Sequence, residues 1–390
     1  MDTSWYRHYD MDSLEIMFPT GLEPCGNDAV VLISASAYFN DPPSLRSALV
    51  RIDGENGDIL WQTRIIHNPV AEVSEIFFFN KGLLRLRDGS FIVLFDTRTE
   101  NGDIGFVINR IGADGSVLWH KDYGISGQDI YPFYNGLGIG PDSMSFVVTA
   151  LRLDVANQFE KINIYHLNED GDVVNLLSLN TDLEFYSQYS PVAMLGDSSF
   201  VIGFNLGNNL DFEGLKLLSQ FNYSGQNTKT YSAWDFGWWN ELKRHPSGKL
   251  VAVSQSFSGN WDNRESHGLR TTLFSPQLDT IWSRVYNQFE LPYYYRELDY
   301  PGPVSFDAQG NILVTGSGSA YDGVKPAHLI KYDISGETQW VKRIGIEPDL
   351  VGGVQEVGGK IVFQSDGILL VGSLLDVNAM LLIRLDSAGC

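Results

Sequence analysis

One pattern recurs along this chain at intervals of 53 to 58 residues, and a repeat of that length decides the class of fold before any other feature is weighed. Each copy is an alternating apolar and polar strand, a turn holding Asp or Asn and Gly, and a second strand that often carries Trp. The copies read ALVRIDGENGDILWQTRI (48–65), FVINRIGADGSVLWHKDYG (106–124), INIYHLNEDGDVVNLLSLN (162–180), KLLSQFNYSGQNTKTYSAW (216–234), TTLFSPQLDTIWSRVYN (271–287) and HLIKYDISGETQWVKRIG (328–345). A seventh, MLLIRLDSAGC (380–390), stops at its turn. Ahead of each copy stands a shorter element, a Gly, Asp or Ser turn followed by an apolar strand, as in RDGSFIVLF, PSGKLVAVS and AQGNILVTG.

Together the two elements give each unit about four short strands joined by hairpins. Gly and Asn tolerate the positive φ of tight turns, and period-two alternation fits half-buried antiparallel strands. The fourth-strand position falls at Trp61, Trp119, Asn175, Lys229, Trp282 and Trp340, and seven units of 55.7 residues fill the 390. The expected fold is all-β, a seven-bladed β-propeller of four-stranded antiparallel blades in a single domain over 1–390. The blades fall at 18–65, 81–124, 135–180, 190–234, 239–287 and 302–345, and the last at 358–390 plus 1–10. A β-sandwich does not keep one period over seven copies, and an open solenoid does not need its first strand to finish its last repeat. SWYRHYD near the N-terminus resembles LWHKDYG, so residues 5–10 are expected to be the outer strand of the last blade, closing the ring and leaving no free sheet edge. Counted across the chain ends, Trp5 lies six residues past Gly389, against four from Gly to Trp in the other copies, so its register is left open. Outside EVSEIFFF no sustained helical periodicity exists, and helix is expected to be minimal.

Charge bounds the partners. There are 27 basic against 48 acidic residues, a net charge of −21. That excludes nucleic acid, whose phosphates need Lys and Arg, and it disfavours an anionic membrane surface. No apolar run approaches the roughly 18 residues of a membrane helix, so no transmembrane segment is expected. The opening residues carry no signal peptide as they stand.

The segments DGENGDILW, GADGSVLW and DISGETQW resemble the Asp-x-x-x-Gly-x-x-x-Trp signature of quinoprotein-like propellers. The longer blade is similar to the propeller repeats of roughly 55 residues in bacterial exported and surface proteins of the Bacteroidetes type. The resemblance covers the whole chain. It implies that the Trp docks one blade on its neighbour, and that copies three and four, with Asn175 and Lys229, dock by other side chains. It also implies an interaction propeller and an extracytoplasmic location, in the periplasm or at the cell surface, if an export signal or anchor is removed upstream; otherwise the cytoplasm is the default. Quinoprotein dehydrogenases use calcium and usually a vicinal disulfide; this chain has no adjacent cysteines and no calcium loop, and NEDGD (168–172) reads as a solvated turn. No cofactor or metal is expected.

Catalytic motifs are missing. There is no Gly-x-Ser-x-Gly elbow, the seven histidines show no metal spacing, and GLGIGPDS (136–143) is strand plus turn, not a phosphate loop. The aromatics are more informative. Blade-to-blade links and second-to-third-strand loops share one propeller face, and these segments hold Trp234, Trp238, Trp261, Tyr293, Tyr294 and Tyr131. Such side chains form interface hot spots or sugar platforms; the structural alternative is that they plug the gaps between blades. Asp235, Asp262 and Glu265 lie near them, which suits a glycan. Arg85, Arg87, Lys243 and Arg244 fall on inner strands, where they line the channel or pair with surface acids. Cys25 and Cys390 lie in turns of neighbouring blades and are candidates for a single bridge. The resulting expectation is a non-enzymatic, protein-binding propeller, an accessory or scaffold subunit of a cell-envelope or secretion-associated assembly. The alternative is a glycan-binding or glycan-processing propeller.

Overall fold

A computed structural model describes residues 5–9, 17–36, 45–65, 82–98, 103–124, 127–140, 142–154, 159–180, 190–196, 199–207, 214–234, 239–258, 266–286, 300–317, 327–344, 361–363, 367–374 and 379–386. These residues hold strands and turns and no helix; EVSEIFFF lies outside them. The first strand is β1 (Trp5–Tyr9). It is followed by β2 (Met17–Cys25), β3 (Asp28–Ser36), β4 (Leu45–Ile52) and β5 (Ile59–Arg64), then β6 (Gly82–Arg85), β7 (Phe91–Arg98), β8 (Ile104–Ile111) and β9 (Val117–Tyr123). Next come β10 (Gln128–Ile139), β11 (Phe146–Asp154), β12 (Phe159–Leu167) and β13 (Val173–Asn180), and β14 (Val192–Met194), β15 (Ser199–Gly207), β16 (Gly214–Asn222) and β17 (Asn227–Trp234). The chain continues through β18 (Trp239–Arg244), β19 (Leu250–Ser258), β20 (Ser266–Phe274) and β21 (Thr280–Tyr286), and β22 (Tyr300–Phe306), β23 (Ile312–Ser317), β24 (Ala327–Tyr332) and β25 (Thr338–Ile344). It ends in β26 (Ile361–Phe363), β27 (Gly367–Leu374) and β28 (Ala379–Asp386). Each run of four from β2 to β25 is one antiparallel sheet, and the remaining sheet has the order β1-β28-β27-β26. This is a β-propeller of four-stranded antiparallel blades.

The first strand of each sheet packs on the first strand of the next, from β2 through β6, β10, β14, β18 and β22 to β26, and β26 also touches β2. The core lies between sheets rather than within them. Phe106, Ile108, Phe146 and Val148 share one apolar cluster between the β6–β9 and β10–β13 sheets. Tyr9, Leu22, Val31, Val50, Leu369 and Leu382 share another between the first and last sheets. Alternation explains both: each strand offers one face to each neighbouring blade, so second strands such as β3, β7 and β19 are apolar on both faces over most of their length.

The third-to-fourth-strand hairpin shows why Asp and Gly recur. Its first residue caps the turn, as when Asp333 Oδ1 accepts from Ser335 N at 2.8 Å and Glu337 N at 3.0 Å. Gly336 then takes φ +85°, a conformation that a Cβ disfavours. Trp282 of the preceding blade lies against this glycine, and a Cβ there would stand 2.7 Å from Trp282 Cδ2. The indole Nε1 donates to Ile334 O at 3.0 Å. Trp61 and Trp119 repeat the bond, to Ala113 O at 3.2 Å and Glu169 O at 3.0 Å. Asn175 substitutes directly, its Nδ2 donating to Tyr223 O at 2.8 Å. Lys229 instead pairs with Asp279 at 2.7 Å.

β1 occupies the fourth-strand position of its sheet. Trp5 lies opposite Arg384, as Trp61 lies opposite Arg51 and Trp119 opposite Arg110. The count across the chain ends therefore conceals a conserved register. Three groups of this sheet reach the first sheet's hairpin: Arg7 Nε to Asn56 O (3.1 Å), Tyr9 Oη to Gly57 O, and Arg384 Nη1 to Gly54 O. Cys25 is buried, and Cys390 lies outside the described residues.

Candidate functional site

The inner strands surround a channel of about 340 Å³. Thr20 to Glu23 of β2, Gly82 to Leu84 of β6, Asn135 and Leu137 to Gly140 around β10, Val192 to Met194 of β14 and Glu241 to Arg244 of β18 contribute to its wall. Glycine sets how closely these strands approach. A Cβ on Gly21 would stand 2.6 Å from Leu83 Cβ, and one on Gly82 would stand 2.6 Å from Leu137 Cβ. Gly21 and Gly82 thus each receive a Leu of the next inner strand, and Gly138 receives Val192. Inner edges have no strand partner on the axis side, so backbone polar groups face the channel.

The wall mixes charges. Glu23 and Glu241 line it beside Lys243 and Arg244. Lys243 Nζ donates to Val304 O at 3.1 Å, which ties β18 to β22. Arg244 is exposed at the hairpin end. Arg85 turns the other way, and its Nη1 donates to Pro24 O at 2.8 Å, bracing β6 on β2. The Arg87 side chain is exposed, while its backbone N bonds Ser143 O at 2.9 Å. Of the four basic residues, the channel brings together Lys243 and Arg244.

One cross-channel contact is invisible to motif reading. Asn135 holds φ +56°, and its Nδ2 donates to Asn240 O at 2.6 Å. The bond joins β10 to β18 and skips the sheet between them. Both strands break register there, between Pro132 and Leu137 and between Trp239 and Glu241. Asn is among the few residues that accept a left-handed conformation, and such outliers cluster at functional positions. The signal was the Asn135-Gly136 pair inside an otherwise continuous strand.

Among the aromatic candidates, Tyr131 is half-buried in β10, opposite Leu151. Trp234 ends β17 opposite Leu215. Trp238, Trp261, Tyr293 and Tyr294 lie outside the described residues. The neighbouring Trp239 is buried in the β14–β21 core against Phe274. The Lys216 ammonium stands 5.4 Å from its ring centroid and donates to Gln255 O at 2.7 Å. That cation–π pair locks two blades together.

Shifted protonation equilibria mark structural positions. Burial pushes the Tyr332 phenol up to about 12, and it raises Tyr9 and Tyr123 as well. Burial also lowers His166. Burial raises Asp88 and Asp307, but hydrogen bonds from Ser90 and Arg110, and from Asn311 and Lys331, outweigh it and hold both carboxyls below the usual range. All these groups sit between blades or in hairpins. Among the described residues no cluster of His, Cys, Asp and Glu side chains could hold a metal ion, and no helix is long and apolar enough to cross a membrane.

No protein-family profile matches the sequence, and no curated protein matches it either. Solved structures share the architecture. The PL25 ulvan lyase, a polysaccharide lyase bound to -[GlcA(1-4)Rha3S]-, aligns with a TM-score of 0.56 at 10% identity, over 97% of this chain and 96% of its own. Polysaccharide lyase Uly1 gives 0.55 at 12% identity, over 94% and 90%. The β-propeller domain of the Trilobed protease from Pyrococcus furiosus, reported to have an open velcro topology, gives 0.53 at 9%, over 95% and 94%. At such identities the likeness is one of fold.

Proposed function

We propose that the chain is a closed seven-bladed ring, β1 completing the last blade, which binds a protein partner through the face opposite its short hairpins. The observation that carries this reading is the difference between the two faces. In the sheets from β2 to β25 the first-to-second and third-to-fourth connections are short, as in 86–90, 53–58, 168–172 and 333–337, and several of them dock blade on blade. At the other ends of the strands, blade-to-blade connections range from residues 235–238 to residues 65–81. Docking turns must be uniform, because each fits the same neighbour; recognition segments are free to vary. Trp238, Tyr293 and Tyr294 belong to these variable connections, and Trp261 belongs to the second-to-third-strand connection between β19 and β20 at the same ends of the strands. An accessory or scaffold role at a bacterial cell envelope follows from the resemblance to exported propellers. Crosslinking in cells that make the protein natively should give one defined adduct, and Trp238→Ala with Tyr294→Ala should abolish it. An adduct undiminished in the double variant would remove the loop face as the site.

A second reading is glycan binding or processing, favoured by end-to-end alignment with two polysaccharide lyases. Its test is titration with uronate-containing polysaccharides, with new chain ends followed in parallel. The absence of both heat of binding and new chain ends would remove it.

A further inference from the structure

The outer rim breaks the symmetry of the ring. The fourth strands β5, β9, β13, β17, β21 and β25 each open with two residues ahead of the docking position. In the first three blades both are apolar and exposed: Ile59 and Leu60, Val117 and Leu118, Val173 and Val174, all between 40% and 56% accessible. The matching residues of later blades are Asn227 and Thr228, Thr280 and Ile281, and Thr338 and Gln339. If exposed apolar pairs served blade packing, the pattern would continue round the ring. Among the described residues it is confined to three consecutive blades, which Trp61 on Ala113 and Trp119 on Glu169 hold in sequence.

Acids stand beside each pair. The hairpins entering these strands carry exposed Glu55 and Asp58, then Asp114, then Glu169, Asp170 and Asp172. Arg7 pairs with Asp58, Arg110 with Glu169 and Lys121 with Asp172, which leaves Glu55, Asp114 and Asp170 with no ion-pair partner among the described residues. The arc therefore alternates apolar and acidic along the rim. Apolar residues scattered singly over a surface need no explanation, whereas exposed pairs repeated at one position of three consecutive blades call for one.

We propose that this arc, on the rim of the first three blades, is a docking surface for a basic amphipathic segment of a partner protein. Charge decides the occupant. A second copy seated by the same arc would set Glu55, Asp114 and Asp170 against their own counterparts, at an energetic cost. An anionic membrane surface would be repelled by the same acids. A segment alternating Leu or Val with Lys or Arg meets both features, burying the pairs and neutralising the turns. The arc lies on the rim beside the hairpin face, so this site is independent of the loop-face reading and stands or falls separately.

The test titrates the protein into two labelled synthetic peptides, one alternating Leu and Lys, one alternating Leu and Glu, and follows anisotropy. The Leu-Lys peptide should bind saturably and weaken with salt, and the Leu-Glu peptide should not bind. The triple variant Leu60→Ser, Leu118→Ser, Val174→Ser should weaken binding about tenfold or more. Glu55→Gln, Asp114→Asn, Asp170→Asn should do the same. A control triple on the other side of the ring, Ile281→Ser, Ile334→Ser, Val341→Ser, should stay within about twofold. Equal binding by either arc variant, equal binding of both peptides, or no saturable binding overturns the proposal. A native dimer that the apolar triple turns into a monomer, measured by sedimentation, overturns it in favour of a second copy. Should the apolar triple fail to fold, the acid triple carries the decision alone.

Discussion

At the residue scale, the hairpin glycines separate two costs that are often merged. Gly336 and Gly248 both hold a positive φ, at +85° and +82°. A Cβ on Gly336 would strike the Trp282 ring, whereas nothing lies within 4 Å of one on Gly248. Gly248→Ala should cost about 1 to 2 kcal/mol, the price of a left-handed alanine. Gly336→Ala adds a steric cost of roughly 1 to 3 kcal/mol, since the indole must move off its carbonyl. Urea unfolding of both variants measures the difference, and equal losses would remove the docking account. Acid response belongs to this scale too. Asp88 and Asp307 have folded pKa values below those of the unfolded chain. Their stabilisation is fully present above about pH 4 and is lost as pH falls through their folded pKa values. The urea midpoint should therefore hold from neutral pH to about 5 and drop below 4, and Asp307→Asn should flatten that drop.

Among the elements, the link from the β14–β17 sheet to the β18–β21 sheet shows substitutions moving together. Lys229 replaces the docking Trp, and the hairpin it meets has Leu278 at φ +59° in place of glycine. Leu278 is 1% exposed and packs with Leu242 and Phe274. An indole from the preceding blade needs the space a glycine leaves; without the indole, Leu fills that space. Lys229→Trp alone should thus destabilise by about 2 kcal/mol through overpacking. Pairing it with Leu278→Gly should recover part of that loss as a positive coupling in a double-mutant cycle, read by thermal unfolding. The repeat made the strands and hairpins legible, because Asp caps and glycine φ are local requirements visible in one copy. The Asn175 substitution was legible as a gap in the Trp series, but the carbonyl it would take was not. The channel was less so. Arg85 and Lys243 both lie on inner strands and each bonds a carbonyl of a neighbouring strand, Arg85 towards the preceding sheet and Lys243 towards the following one, yet only Lys243 also lines the channel, a difference of side-chain direction that strand assignment does not contain. Asn135 was missed because a bulge inside β10 reads from the sequence as an ordinary hairpin pair.

For the whole molecule, the question is whether the ring behaves as one cooperative body, and β1 is the lever. It pairs with β28 over Trp5 to Tyr9, and Tyr9 is buried in the cluster that joins the first and last sheets. Its partners Asn56 and Gly57 belong to the first blade. Removing residues 1–10 would leave the edge of β28 unpaired, empty the Tyr9 position and cut two ties between the sheets. Losing the buried tyrosine alone costs about 3 kcal/mol, and each lost hydrogen bond about 1. If the ring is closed by this strand, hydrogen exchange should accelerate first in β26 to β28 and in β2, with β11 to β20 protected until higher denaturant. A synthetic peptide of residues 1–10 added in trans should restore protection to β28, since it supplies the same ladder without the covalent link. Unchanged exchange in β28 and β2 after the deletion would mean that the inner-strand contacts between β2 and β26 hold the first and last sheets together without β1.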